Sequence, residues 1–165
     1  MSLFPIATFD VIDGVRADAA LVAWGHYLGA CDRPFGRQSF GLEVAGELVG
    51  VAVSASTVGV TCGGYPRDQV VELARLVTNP SHRWATRVGL RLWREIAPKC
   101  WSSEYWPVIA CVSYSDSTKH RGDIYRFDGW TKVADVPGSS GGGTWSEAKP
   151  RTAKAVWVYR LPEAA

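Results

Sequence analysis

The chain has 165 residues, the length of one ordinary domain, and its 47% hydrophobic and 21% charged residues are typical of a globular protein with a buried core. Lys and Arg outnumber Asp and Glu by 18 to 16, so a net charge of +2 excludes a histone-like polycation, and no coiled-coil or collagen-like repeat is present. The charge is uneven, because residues 1–82 carry five basic and eight acidic side chains (net −3) whereas residues 83–165 carry thirteen and eight (net +5).

The first half of the chain predicts a strand, a helix and a hairpin. In chain order, the elements are a strand at residues 6–12, an amphipathic helix at 16–28 and two apolar strands at 39–45 and 48–56. Gly29 is the expected end of the helix. Gly46-Glu47 joins the two apolar runs and predicts the hairpin turn.

The second half predicts two long apolar strands on either side of a helix, followed by shorter elements. These are a strand at 69–78, a helix from 81 to about 96, a strand at 106–113, a short helix around 119–127, a strand at 131–136, a glycine-rich loop at 137–144 and a strand at 154–161. Ser81 is the expected N-cap of the long helix. Pro98 is expected to stop it.

This order of elements predicts one α/β domain over residues 1–165, a mixed central sheet with helices on both faces. The two strands that flank the long helix should be parallel neighbours joined by a right-handed crossover. Ligands of such sheets bind at the carboxyl ends of the strands. We therefore expect a site near residues 78–86 and 113–116.

Cysteine usage and apolar runs favour a cytoplasmic protein. No run approaches the roughly 18 apolar residues of a membrane span, and the first five residues lack a signal-peptide pattern. The four cysteines (Cys31, Cys62, Cys100 and Cys111) are scattered without Cys-x-x-Cys or metal-ligand spacing, which predicts free, mostly buried thiols and no metal site. Cys111 lies within a predicted strand, where a small buried residue is a better interpretation than a nucleophile.

Residues 77–87 carry a possible phosphate site. They join a strand to a helix, and the free amides and positive dipole of a helix N-terminus bind anions. Arg83, Thr86 and Arg87 add a hydroxyl and two guanidinium groups. The glycine motifs of nucleotide-binding loops are absent. The alternative is an ordinary helix with solvated arginines.

Residues 113–125 concentrate acids, bases and hydroxyls directly after a predicted buried strand. Asp116 is a candidate general base or a group that orients an amine, and Tyr125 is a candidate proton donor to a departing thiolate. The alternative is that Asp116 caps the next helix while Tyr125 packs beneath it. His26 and Tyr27, at the end of the first predicted helix, are candidate substrate contacts, although a helix-terminal histidine commonly meets backbone carbonyls.

Four segments of the sequence resemble the motifs of a known protein family. They are His26-Tyr27-Leu28-Gly29, Glu72-Leu73-Ala74-Arg75-Leu76, residues 83–92, and Ser113-Tyr114-Ser115-Asp116 with His120, Gly122, Ile124-Tyr125 and Gly129-Trp130. The pattern resembles the GNAT acyltransferase superfamily and, more narrowly, the Mom-type DNA-modification proteins of phages. It covers roughly residues 20–135, and the last segment is the most specific.

The resemblance implies a GNAT-like fold, acetyl-CoA or another acyl-CoA as cofactor, and three groups of site residues. The implied catalytic residues are Asp116, Tyr125, His26 and Tyr27; the cofactor-binding residues are Leu76, Val77, Thr78, Arg83, Trp84, Ala85, Thr86 and Arg87; and the substrate-binding residues are Ser113, Tyr114, His120 and Arg121. The sequence departs from the family pattern at Arg83, Thr86 and Lys119, which replace Asn, Ser and Gly. Arg126-Phe127 replaces Gln-Ala.

The function implied by the resemblance is acyl transfer to a nucleobase amine in phage DNA, which protects that DNA from restriction. Two alternatives stay open: an N-acetyltransferase for a small amine, an aminoacyl group or a protein, and a DNA-binding or anti-restriction module of the same fold without turnover. The positive second half and the eight tryptophans fit DNA contacts. They fit an arginine-rich cofactor site and a tryptophan-rich core equally well.

Overall fold

The structure is a computed structural model that describes residues 6–137 and 152–162. The strands are β1 (Ala7–Val11), β2 (Arg37–Val44), β3 (Glu47–Ala55), β4 (Thr61–Cys62), β5 (Tyr65–Pro66), β6 (Val70–Thr78), β7 (Ala110–Asp116), β8 (Thr131–Val136) and β9 (Lys154–Arg160). The helices are α1 (Gly14–Ala23), α2 (Ala85–Glu104) and α3 (Asp123–Phe127). Beyond Pro137, the predicted glycine-rich loop lies outside the described residues, as do the first five residues.

Seven strands form one mixed sheet in the order β1-β2-β3-β6-β7-β9-β8, and β4 and β5 form a separate two-stranded ribbon. The pair β6–β7 is parallel, and the other neighbouring strands of the large sheet are antiparallel. The helix α2 connects β6 to β7. The predicted mixed sheet and the predicted parallel neighbours are therefore confirmed.

The sheet is covered on both faces, as the alternating apolar side chains require. On one face, α2 buries Leu90, Trp93 and Trp101 against Ala52 and Trp157 of the sheet. On the other face, α1 packs Ala17, Ala20 and Leu21 against Val51 and Val53, and β4 contributes Cys62 to a further cluster with Val112 and Val158. The predicted helices on both faces are confirmed.

The hairpin between β2 and β3 turns one residue earlier than predicted. Val44 pairs with Glu47, so Ala45 and Gly46 are the two turn residues, and both have positive φ, 53° and 81°. This is the type I′ geometry that matches the twist of a hairpin. A positive φ is usual for glycine or asparagine and uncommon for alanine. An alanine at position 45 therefore did not indicate a turn residue in the sequence.

The helix α1 is shorter than predicted. It ends at Ala23, and Gly25 adopts a left-handed φ of 70° directly after the Trp24 C-cap, so Gly25 rather than Gly29 ends the helix. His26 therefore lies in a turn beyond the helix instead of in its last turn.

The helix α2 begins later and ends later than predicted. Ser81 lies in a short 3-10 turn whose cap is the Asn79 side chain, and α2 itself begins at Ala85. Pro98 does not stop the helix, which continues to Glu104. Pro98 and Trp101 are both buried, and burial of this apolar face outweighs the one backbone hydrogen bond that proline removes. The next strand consequently moves from the predicted 106–113 to Ala110–Asp116.

Most of the tryptophans serve the core. Of the described ones, Trp93, Trp101, Trp130 and Trp157 are buried, whereas Trp84 is 52% exposed. Arg94 also has a structural role, because it forms an ion pair with Asp128 at 2.7 Å and lies over the Tyr159 ring. Arg94 is therefore a structural residue of α2, unlike the exposed Arg83 and Arg87 at the start of the helix.

Candidate active site

The strands β6 and β7 separate part of the way along their length. Their pairing runs from Val70 opposite Ala110 to Leu73 opposite Ser113, and β6 then continues to Thr78 without β7 as a partner. A register shift against β3 leaves Ala74 as an extra residue on β6 at this point. Such a bulge bends and twists a strand, so β6 turns away from β7 and a wedge opens at the carboxyl ends of both strands.

A cavity of about 390 Å³ occupies the wedge on the side of α2 and α3. The predicted site residues that line it are His26, Tyr27, Leu76, Thr86, Ser113, Tyr114, Asp116, His120, Arg121 and Tyr125. The other predicted cofactor residues, which are Val77, Thr78, Arg83, Trp84, Ala85 and Arg87, lie at the end of β6 and around the start of α2. Ala85 is fully buried, so its side chain belongs to the core.

The hydroxyl of Tyr125 lies at the apex of the wedge. Its oxygen is 2.9 Å from Ser113 Oγ, and Ser113 Oγ donates a hydrogen bond to the Leu73 carbonyl oxygen at 3.2 Å. Because a serine hydroxyl has one proton, Tyr125 must be the donor to Ser113. Burial raises the pKa of Tyr125 to about 12, so the phenol keeps its proton at neutral pH.

The Asp116 carboxylate is held by hydrogen bonds at both oxygens. Oδ1 accepts hydrogen bonds from the Thr118 amide at 2.9 Å and the Thr118 hydroxyl at 2.5 Å, and Oδ2 accepts one from the Thr152 hydroxyl at 2.9 Å. Burial acts to raise the pKa of Asp116, but these hydrogen bonds outweigh burial and the pKa is lowered. The carboxylate is thus ionised, and it closes the turn after β7 rather than capping α3, whose N-cap is Gly122.

His26 and Tyr27 form a stacked pair at the edge of the same cavity. Their ring centroids are 5.1 Å apart, and Lys119 Nζ lies 5.0 Å from the Tyr27 ring centroid. His26 Nδ1 accepts a hydrogen bond from the Leu28 amide, and burial, together with the charge of Arg75, lowers the pKa of His26 to about 4. At neutral pH the ring is therefore uncharged, and because Nδ1 accepts a hydrogen bond, the proton of the ring is on Nε2.

The N-terminus of α2 has the groups that bind an anion. No side chain caps it, and no acidic residue lies in its first turn. Thr86 Oγ1 is 2.9 Å from Thr78 Oγ1, which ties this turn to the end of β6. Arg83 and Arg87 are exposed beside it. Uncapped amides, the helix dipole and two guanidinium groups suit a phosphate-type anion.

A second cavity of about 340 Å³ opens on the opposite side of the wedge. It shares Tyr27, Leu73, Ala74, Arg75 and Tyr114 with the first cavity, and it adds a charged group made of Arg33, Glu72 and Lys154. Side chains alternate along a strand, so Glu72 faces this side while Leu73 faces α2.

Arg33 and Lys154 line the second cavity, although nothing in the sequence predicted them as site residues. Arg33 Nη2 lies 2.7 Å from Glu72 Oε1, across 39 positions of sequence. Burial raises the pKa of Glu72, and the positive charges of Arg33 and Arg75 oppose that rise. No local pattern connects these residues, because only the packing of the loop before β2 against β6 brings them together.

The cysteines are free thiols, as the sequence predicts. All four cysteines are free, and Cys111 is fully buried with a pKa raised by burial, so it has the properties of a packing residue. Within residues 6–137 and 152–162, no cluster of His, Cys, Asp and Glu could hold a metal ion. In the same ranges, no helix has the length and apolar character of a membrane span.

The arrangement of the sheet is similar to that of solved acetyltransferases. The Escherichia coli ribosomal-protein-S18-alanine N-acetyltransferase matches with a TM-score of 0.66 over 97% of each chain at 11% identity. The Enterococcus faecium aminoglycoside 6'-N-acetyltransferase matches with a TM-score of 0.60 over 96% of this chain and 99% of that one at 14% identity. A GNAT family acetyltransferase from Elizabethkingia anophelis, solved with acetyl-CoA bound, matches with a TM-score of 0.55 over 94% and 98% of the two chains at 13% identity.

The chain has the GNAT acetyltransferase fold. At these identities the likeness establishes the fold alone. No protein-family model matches the sequence, and no curated protein matches it either. The predicted GNAT-like fold is confirmed. The narrower resemblance to Mom-type proteins and the roles of the individual site residues stay predictions.

Proposed function

We propose that this GNAT-fold protein is an acyl-CoA-dependent N-acyltransferase that modifies a nucleobase amine in DNA. The observation that carries the proposal is the wedge between β6 and β7, with the protonated Tyr125 hydroxyl hydrogen-bonded to Ser113 at its apex. A wedge with a proton donor at its base is suited to transfer of a group to an amine that enters between the strands.

Acetyl-CoA fits the donor side of the wedge. Its phosphates would lie on the uncapped first turn of α2, with Arg83, Thr86 and Arg87, and its pantetheine arm would lie along the free edge of β6 at Leu76–Thr78. That edge lacks a partner strand on the β7 side within the described part of the sheet, so its backbone groups are free to bind an amide-bearing chain. When bound, acetyl-CoA supplies an acyl group activated as a thioester.

In the proposed reaction the protein residues hold protons and orient the acceptor. Tyr125 would donate its hydroxyl proton to the leaving thiolate. In the free protein this proton points to Ser113 Oγ, so the hydroxyl must turn from Ser113 towards the thiolate to donate it. The neutral His26 offers its Nε2–H as a hydrogen-bond donor. The amine loses a proton when it bonds to the acyl carbon, and Asp116, which is ionised and lines the cavity, would accept that proton. Its Oδ2 receives one hydrogen bond, from Thr152, so this oxygen keeps a lone pair for the proton.

The charge of the second cavity favours a nucleobase over a polycationic amine. Arg33, Arg75 and Lys154 face one carboxylate, Glu72, in that cavity, so the surroundings are net positive. A polyamine or an aminoglycoside carries several positive charges and would be repelled. A nucleobase amine is uncharged and belongs to a polyanion, which the positive groups attract.

A second candidate is an N-acetyltransferase for a small amine, an aminoacyl group or a protein. It is supported by the similar solved structures, whose names give a ribosomal-protein alanine and an aminoglycoside as acceptors. The same wedge and the same donor side would serve it.

Transfer of labelled acetyl groups from acetyl-CoA to competing acceptors separates the two candidates. The acceptors are single-stranded DNA, duplex DNA, an alanine-terminated peptide and an aminoglycoside, each offered to the wild type and to Tyr125→Phe. The proposal predicts label in DNA, lost in Tyr125→Phe. Label in the peptide or the aminoglycoside alone supports the second candidate and contradicts the first.

A further inference from the structure

The ion pair between Arg33 and Glu72 is only half satisfied. Arg33 Nη2 and Glu72 Oε1 are 2.7 Å apart, but Arg33 Nη1 and Glu72 Oε2 are buried and have no hydrogen-bond partner within the described residues. Glu72 is 3% exposed. Leaving buried charged groups without partners costs stability, so the sequence retains this arrangement at a cost.

The other arginines nearby show that the chain does satisfy such groups elsewhere. Arg37 and Asp18 form a two-point pair, with Nη1 to Oδ2 at 3.0 Å and Nη2 to Oδ1 at 2.8 Å. Arg75, which lines the same cavity as Glu72, donates to the carbonyl oxygens of Gly29, Ala30 and Ala74. Other buried side-chain atoms without partners, such as Gln38 Oε1 and Trp101 Nε1, belong to uncharged groups. The Arg33–Glu72 pair differs from them because both of its unmatched atoms belong to charged groups that line a cavity.

We propose that Arg33 and Glu72 together recognise the amine-bearing edge of an adenine or cytosine base. On the Watson–Crick edge of both bases an exocyclic amine, a hydrogen-bond donor, lies next to a ring nitrogen that accepts, which is N1 in adenine and N3 in cytosine. Glu72 Oε2 accepts one hydrogen of the amine, and Arg33 Nη1 donates to the ring nitrogen. This inference rests on the proposed function, because it assigns the acceptor class of the same wedge.

The position of the pair suits this role. Leu73, the residue after Glu72, is in the last pair that joins β6 to β7. Glu72 faces the second cavity and Tyr125 the first, and the two cavities share Leu73 and Ala74, so an amine held at Glu72 would reach Tyr125 through the opening between the strands. An exocyclic amine has two hydrogens, and the one not donated to Glu72 remains toward the wedge. Arg33 lies in the loop before β2, and its side chain is 17% exposed. Because Arg33 Nη1 and Glu72 Oε2 are buried in the free protein, the proposal requires that the Arg33 side chain turns when a base enters the cavity.

Binding of short thymidine oligonucleotides with one altered central base tests the inference on the wild-type protein. The central base is adenine, cytosine, thymine, N6,N6-dimethyladenine, which lacks the donor, or 1-deazaadenine, which lacks the ring acceptor. All carry the same phosphates, so differences in Kd report the base edge alone. We expect adenine or cytosine to bind at least about tenfold more tightly than thymine and both adenine analogues. Equal affinities, or no binding of any oligonucleotide, overturn the inference.

Two substitutions extend the test. Glu72→Gln removes the charge and replaces one of the two acceptor oxygens with an amide nitrogen that donates. Arg33→Lys keeps the charge but leaves a single nitrogen. Each should reduce the preference for adenine or cytosine to less than about threefold. Glu43→Gln is the matched control, because Glu43 pairs with Arg16 at 2.7 Å on the exposed part of β2, and it should keep the wild-type preference.

Binding of acetyl-CoA, measured on the same samples, separates this inference from the proposed function. Acetyl-CoA binding without any base preference overturns the inference and leaves the acyltransferase proposal intact. Base preference without acetyl-CoA binding supports the recognition pair and contradicts the acyltransferase. If Glu72→Gln does not fold, Arg33→Lys and the wild-type analogue series still decide the question.

Discussion

The Tyr125 hydroxyl oxygen lies 2.9 Å from Ser113 Oγ, directly at the point where β6 and β7 separate. Ser113 in turn donates to the carbonyl oxygen of Leu73 on the neighbouring strand. In the free protein the direction of the Tyr125 proton is thus set by a chain of hydrogen bonds that ends on the sheet. The proposed proton donor is oriented by the same residue pair that ends the strand pairing.

Ser113→Ala should reduce turnover without weakening acetyl-CoA binding. The substitution leaves the buried Tyr125 hydroxyl without its acceptor and the Leu73 carbonyl without its donor, which costs about 1–3 kcal/mol of unfolding free energy. We expect kcat to fall about tenfold while the Kd for acetyl-CoA is retained. Ser103→Ala is the control, because the Ser103 hydroxyl bonds to Cys100 on the exposed end of α2. A wild-type kcat in Ser113→Ala would contradict the proposed role of Ser113 in orienting the Tyr125 hydroxyl.

Asp116→Asn should destabilise the protein as well as inactivate it. Three hydrogen bonds converge on the carboxylate from Thr118 and Thr152, and an asparagine amide cannot accept at its nitrogen. We expect about 2 kcal/mol less unfolding free energy in denaturant titrations at pH 7. Because the folded pKa of Asp116 is lowered, its contribution is present at neutral pH and is lost as the pH falls below the ordinary pKa of 3.8. An unchanged stability would mean that these hydrogen bonds contribute nothing.

Arg87 and Arg94 lie on the same helix and should respond to substitution in opposite ways. Arg87 is exposed near the start of α2, so Arg87→Gln should weaken acetyl-CoA binding about fivefold, more at low salt, with no loss of stability. Arg94 is paired with Asp128 and is mostly buried, so Arg94→Gln should cost about 3 kcal/mol of stability and leave the Kd unchanged. Calorimetric titration and thermal unfolding of both variants measure these effects. The reverse pattern would place the anion site elsewhere.

The neutral His26 predicts a dependence of stability on pH. Its folded pKa of about 4 lies below the ordinary 6.5, so between these values the unfolded chain binds more protons than the folded one. The unfolding free energy should therefore fall as the pH decreases from 6.5 to 4. In His26→Asn, which keeps an acceptor for the Leu28 amide, the decrease should be smaller by about 2 kcal/mol. Parallel slopes for the two proteins would contradict the assignment of a neutral His26.

Local patterns in the sequence predicted the elements and one wall of the site. The apolar runs around α2 correctly indicated two parallel neighbours, and the polar residues of 113–125 follow one another along the chain, so their clustering was visible. The predicted ends of α2 at Ser81 and Pro98 were wrong, because N-cap and helix-breaker preferences reflect only the neighbouring residues in the sequence. The burial of Trp101, which extends the helix, depends on tertiary packing.

The parts that could not be predicted depend on contacts between distant segments. Thr152 reaches Asp116 across 36 positions, and Arg33 reaches Glu72 across 39. The first contact holds a carboxylate that the sequence suggested as a base, and the second places a pair of opposite charges in the wall of the second cavity. No local sequence pattern around Thr152 or Arg33 indicates a site.

The most direct test of the central claim is mass analysis of nucleosides from the DNA of cells that express the protein. Cells that express Tyr125→Phe at the same level, with the same thermal stability, provide the reference. We expect a new nucleoside, heavier by an acyl-type group on its amine, in the wild-type sample and not in the reference. An unchanged nucleoside profile, together with acetyl-CoA turnover on a small amine or a peptide by the same wild-type protein, would contradict it.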